Sequence, residues 1–168
     1  DTIDYSSSAD AVRVDLSRST GSGYGNDTIR NIEGVIGTSG GDRLTGDNFD
    51  NVLDGGAGDD RIDGGGGSDI IVGGAGNDTY NGGSGFDTLD FSLSAHGIEI
   101  DAQKTSITTP DGKSNYSNIE KLIGSAHDDV FLGGKGVDVF VGGDGDDVVR
   151  GFEGADVFTG GAGKDTFI

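Results

Sequence analysis

The chain has 168 residues, the size of one ordinary domain, but 35 are Gly, none is Cys, Met or Trp, and the formal charge is −19. That charge leaves no basic footprint for nucleic acid or an anionic membrane surface, and no run approaches the ~18 apolar residues of a membrane span. Without Cys there are no disulfides and no thiolate metal sites.

The opening stretch, DTIDYSSSAD, lacks the charged and apolar regions of a cleavable signal peptide. AVRVDL (Ala11–Leu16) alternates apolar and polar residues and predicts a half-buried strand. NIEGVIG (Asn31–Gly37) reads as an apolar-rich strand running into a Gly turn. From Gly37 a nine-residue frame runs without a gap: GTSGGDRLT, GDNFDNVLD, GGAGDDRID, GGGGSDIIV, GGAGNDTYN and GGSGFDTLD. Then the opening returns. DFSLSAHGIEID (Asp90–Asp101) matches DYSSSADAVRVD (Asp4–Asp15), and NIEKLIG (Asn118–Gly124) matches NIEGVIG. Between them TTPDGKSN (Thr108–Asn115) carries a Pro-Asp-Gly turn, expected to connect strands. The frame resumes at Gly124 with GSAHDDVFL, GGKGVDVFV, GGDGDDVVR, GFEGADVFT and GGAGKDTFI. The chain therefore reads as two copies of one module, residues 1–90 and 91–168, each a leader followed by nonapeptides. No segment shows a helical period.

Position one is Gly in all eleven units, position six is Asp in ten and Asn51 in one, and position eight is always apolar. Few apolar residues and a high net charge are the usual marks of disorder, but low complexity alone does not hold three positions in phase. Six Gly-dominated residues form a tight turn, and the next three form a minimal strand with its central residue inward. A strand–turn–strand–turn circuit takes 18 residues, and successive circuits stack about 4.8 Å apart. The predicted fold is all-β: a right-handed parallel β-roll, a flattened solenoid with β-strand leaders.

Residues 18 apart then share an edge. Asp42, Asp60 and Asp78 form one ladder of the first array, and Asn51, Asp69 and Asp87 the other. Asp129, Asp147 and Asp165 stack in the second array, opposite Asp138 and Asp156. Carboxylates about 5 Å apart repel by roughly 3 kcal/mol per pair at an effective dielectric of ~20. A dication between each pair reverses the sign. Of thirty acidic residues only Glu33, Glu99, Glu120 and Glu153 are Glu, and Asp suits turns and hard cations. Ca²⁺ takes six to eight oxygens, and adjacent turns offer carbonyls from Gly56, Gly58, Gly65, Gly67, Gly74, Gly76, Gly83 and Gly85 in the first array. In the second array Gly134, Gly136, Gly143, Gly145, Gly161 and Gly163 do the same. Mg²⁺ keeps its waters, and no His–Cys cluster exists for Zn²⁺. Seven stacked pairs predict up to seven Ca²⁺, offsetting fourteen of the nineteen negative charges. Apolar burial is too small to order this chain alone, so binding energy becomes folding energy. Asn51 and Phe49 mark the Asn51–Asp69 site as the weakest of its array. His127 and Phe152 weaken Asp129–Asp147 and Asp138–Asp156 in the same way. First units of a solenoid are atypical caps.

The units G-G-x-G-x-D-x-U-x resemble the RTX (repeats-in-toxin, hemolysin-type calcium-binding) family over Gly37–Asp90 and Gly124–Ile168. The resemblance implies a calcium-binding module of a larger extracellular protein, exported from a Gram-negative bacterium by type I secretion. The pattern is still running at Asp165-Thr166-Phe167-Ile168, which fits a part of such a protein. It implies as the alternative a calcium-dependent module that binds a polysaccharide or a cell surface. Catalysis within this chain is not expected. The only histidines are His96 and His127, and no H-E-x-x-H is present.

Overall fold

The computed structural model describes residues 1–23 and 25–168 and the backbone of Asn26 within its strand. Almost all of its regular structure is β. The inward residues stack in two columns. In an eight-stranded, wholly parallel sheet, Ile3, Val35, Leu53, Ile71, Leu89, Leu122, Phe140 and Phe158 lie in register from strand to strand. A twelve-stranded sheet carries Val14, Leu44, Ile62, Tyr80 and Tyr116, then Ile107, Ile100, Phe131, Val149 and Phe167. Successive nonapeptides alternate between the sheets, as an 18-residue circuit demands. The columns meet in a single hydrophobic cluster, and Phe131 and Phe140 stack across it with centroids 4.7 Å apart. This is the parallel β-roll.

The strands differ from the expected three residues. Arg43–Thr45, Ile70–Val72 and Val130–Leu132 have that length, but Arg61–Gly66, Thr79–Ser84, Val139–Asp144 and Val157–Ala162 have six. The excess lies in the glycines. Gly83 pairs with Gly65 and Gly161 with Gly143, so the turns hydrogen-bond to one another as strands do.

Both leaders join the roll. Arg13–Asp15 pairs with Arg43–Thr45, and Glu99–Asp101 with Val130–Leu132. The Pro110-Asp111 turn closes the hairpin Ser106–Thr109/Gly112–Ser117, whose second strand runs parallel to Thr79–Ser84 of the first array. Thr88–Asp90 pairs with Lys121–Ile123 in the other sheet. The two arrays thus share both sheets without a break. Of the twenty buried apolar residues, eleven belong to the leaders, Phe91, Ile98 and Ile107 among them. The one helical turn among the described residues is the 3₁₀ turn Leu16–Arg18, and no helix there is long and apolar enough to cross a membrane.

Candidate calcium sites at the coil edges

The residues expected to stack do stack, and the seven pairs are joined in one way. The backbone N–H of the first residue donates to Oδ1 of the residue eighteen positions on. The distances are 2.7 Å for Asp42 to Asp60, 2.8 Å for Asn51 to Asp69, Asp60 to Asp78 and Asp69 to Asp87, and 2.9 Å for Asp129 to Asp147. Asp138 to Asp156 is 3.1 Å and Asp147 to Asp165 is 3.2 Å. The leaders extend the ladders, with Val12 N–H on Asp42 Oδ1, Ile98 N–H on Asp129 Oδ1 and Asp87 N–H on Glu120 Oε2. One oxygen of each stacked carboxylate except Asp138 is therefore a rung of the fold. The repeat does not show this, because nothing in it tells where peptide N–H groups point.

The second oxygen sorts the sites. In first coils the protein satisfies it. Thr38 N–H donates to Asp42 Oδ2 at 2.5 Å, Ser125 N–H to Asp129 Oδ2 at 2.6 Å and Gly134 N–H to Asp138 Oδ2 at 2.8 Å, while Asp47 N–H takes Asn51 Oδ1. One coil further on at Asp69 and Asp147, and two at Asp87, Oδ2 is buried with no hydrogen-bond partner among the described residues. Such an oxygen favours the neutral acid. Burial, with the neighbouring carboxylates of the ladder, pushes Asp60 up to about 7 and Asp69 to about 6. Asp87, Asp129, Asp138 and Asp147 are also raised, burial again being the main cause.

Beside each unpartnered oxygen the neighbouring coil passes so close that only Gly fits at position one. A Cβ on Gly64 would strike Asp69 Oδ2 and lie 2.5 Å from the Gly82 carbonyl oxygen. On Gly142 it would strike Asp147 Oδ2 and lie 2.6 Å from the Gly160 carbonyl, and on Gly82 it would lie 2.6 Å from Asp87 Oδ2 and strike the Asn118 carbonyl. Carboxylate and carbonyl oxygens of adjacent coils thus crowd the position-one glycines, in first coils and inner coils alike. Among the described residues no three acidic or histidine side chains converge on a metal position. An ion here would take its remaining oxygens from main-chain carbonyls and water, a donor set that fits Ca²⁺. His96 and His127 border one shallow recess together with Asp128, but the three do not converge on a metal position.

Asp78 is the exception. Its Oδ2 accepts from the Tyr80 hydroxyl at 2.7 Å and from Ser114 Oγ at 3.2 Å. The Phe91 ring packs against Gly73, where the other position-one glycines face the side-chain oxygen of position six. Tyr80 is the one Tyr at position eight, a signal present in the sequence; Ser114 gave none. Of the expected weak spots, Asn51 buries an Nδ2 with no partner among the described residues, an N–H donor where a cation needs an oxygen. Phe49 and His127 stand in first coils, and neither needs a positive φ. Asp69 and Asp147 keep unpartnered oxygens despite them. Phe152 does carry strain, at φ 64°, with its ring 4.6 Å from the Arg150 guanidinium carbon.

No curated protein matches the chain. The family model described as RTX calcium-binding nonapeptide repeat matches in four copies, over residues 36–71, 62–89, 121–140 and 132–167, together more than half of the chain. With that coverage, and with position six stacked at every second unit as a calcium-bridged roll requires, the chain belongs to the RTX calcium-binding nonapeptide repeat family.

Proposed function

We propose that this calcium-binding module is a structural, non-catalytic part of a larger protein that a Gram-negative bacterium exports by type I secretion. It stays unfolded where calcium is scarce and winds into the roll outside the cell. The observation that carries this reading is the set of buried, unpartnered Oδ2 atoms at Asp69, Asp87 and Asp147. Each costs on the order of 1–3 kcal/mol while bare and becomes an anchor once a cation arrives. The absence of Cys fits a fold locked by metal rather than by disulfides.

Six ions bind, one for each stacked pair except Asp60–Asp78, where the Tyr80 hydroxyl and the Phe91 ring take the cation's place. Far-UV circular dichroism tests the folding. In excess chelator the chain gives a disordered spectrum, and added Ca²⁺ produces a cooperative β signal that equimolar Mg²⁺ does not. Full β structure in chelator sinks the reading. Equilibrium dialysis with labelled calcium gives the count.

A further inference from the structure

The first 103 residues contain no Lys; their five cations are all Arg: Arg13, Arg18, Arg30, Arg43 and Arg61. The fold gathers them on one path. Arg13, Arg43 and Arg61 are direct in-register partners on three adjacent strands, all exposed, forming a row at strand spacing on the outer face of the twelve-stranded sheet. Arg13 and Arg18 line a recess of about 280 Å³, and Arg18 and Thr20 lead from it into a cleft of about 710 Å³. That cleft is bordered by Arg30 and by Phe49, which is 73 % exposed.

Like charges directly opposite one another in a sheet are unfavourable, and the row has no internal remedy. Among the described residues none of Arg13, Arg43 and Arg61 makes an ion pair; the one arginine pair is Arg18 with Asp15. The acids nearby keep their charge, but among the described residues none comes within ion-pair distance of the row, and other bonds hold them. Asp15 also caps the 3₁₀ turn, Asp63 accepts from Asn81, Asp59 from Asn77, Asp47 from Phe49 N–H, and Glu33 holds the N-terminal ammonium. Asp27 is the remaining acid of the smaller recess.

The duplicated module supplies an internal control. Its equivalent row is Glu99, Val130 and Val148, in the same register on the same sheet, and the counterparts of Arg18, Arg30 and Phe49 are Lys104, Ser117 and Gly136. The scaffold therefore folds without arginines there, and the row serves something other than the roll.

We propose that this arginine track, which exists only in the calcium-folded state and so rests on the reading above, binds an extended acidic polysaccharide. Arg presents a planar fork that grips carboxylate or sulfate through two hydrogen bonds, and the row repeats that fork every ~4.8 Å along the stack. An exposed ring such as Phe49 offers an apolar face to a sugar ring, and Thr20, Ser22 and Thr45 border the row with hydroxyls for its polar groups. Duplex nucleic acid fits less well. Its phosphates recur every ~3.4 Å per strand, and the row has no interleaved aromatics on which single-strand bases stack.

The test uses the whole chain in saturating Ca²⁺ with four probes: soluble oligogalacturonate, dextran sulfate, neutral dextran and single-stranded DNA. Isothermal titration shows saturable binding of oligogalacturonate or dextran sulfate, weakening with added salt, and the two arms tell carboxylate from sulfate. Arg43→Val with Arg61→Val, which copies the second module, lowers that affinity about tenfold or more, and Val130→Arg with Val148→Arg adds a second binding event. No binding to either acidic glycan, equal binding to neutral dextran, an unaffected double variant, or a preference for DNA overturns the proposal. Circular dichroism on the same samples separates the two readings, because β structure without glycan binding overturns the track alone.

Discussion

Single atoms decide what each position of the repeat tolerates. Gly85 has φ +143°, a conformation essentially restricted to Gly, and a Cβ there would run into the Gly67 carbonyl. Gly136 also holds position four, but nothing lies within 4 Å of its Cβ position and its φ is not positive. Gly85→Ala is therefore expected to cost about 2–3 kcal/mol or more and Gly136→Ala under about 0.5, read as shifts in the calcium midpoint of the β signal. Tyr80 acts in the opposite sense, its hydroxyl holding the Asp78 oxygen that the inner coils at Asp69, Asp87 and Asp147 leave without a partner. Tyr80→Phe frees Asp78 Oδ2 from its shorter hydrogen bond, and the number of calcium ions bound at saturation, measured by dialysis, rises by one. An unchanged count places the exclusion on the Phe91 ring instead.

The coil edge behaves as one titrating element. Asp60 and Asp69 hold protons up to about 7 and 6 in the folded chain, against an ordinary value of 3.8, chiefly because they are buried. A raised folded pKa means that the folded state binds protons more tightly than the unfolded one. Metal-free stability from these groups is thus fullest below about pH 4 and is lost as pH rises through 6 to 7. In chelator, β structure increases between pH 7.5 and pH 5. In calcium the trend reverses, because protons compete for the same oxygens and the calcium midpoint rises as pH falls below 7. Circular dichroism at the two pH values checks both. The ladders themselves were legible in the sequence, since identical units eighteen residues apart can only stack. Hidden from it were the rungs made by the stacked Oδ1 atoms, the satisfied first coils and the closure at Asp78. Those depend on peptide orientation and on contacts from the leader, Ser114 and Phe91, which the repeat does not encode. The paired leaders were visible as strands, but that they would furnish most of the buried apolar residues was not, because their apolar positions follow no fixed period.

The whole molecule is one stack. Leu89 is fully buried and in register between Ile71 of the first array and Leu122 of the second leader. Nearest-neighbour coupling of this kind makes an array fold as a unit, and one calcium transition is expected for both modules. Leu89→Ala weakens the junction by about 2–5 kcal/mol and splits the calcium titration into two steps, while a variant that keeps a single step shows that the modules are coupled elsewhere. The alternation between sheets has a consequence for how such a chain can lengthen or shorten. The first array has six units, so the second leader re-enters on the same side as the first and its hairpin finds the strand Thr79–Ser84 waiting. Losing or gaining one nonapeptide would swap left for right for everything downstream and present that hairpin to the wrong face. Losing or gaining two would leave the arrangement unchanged. The first array thus obeys a parity rule, and its length can change only in even steps if the second leader is to keep its place.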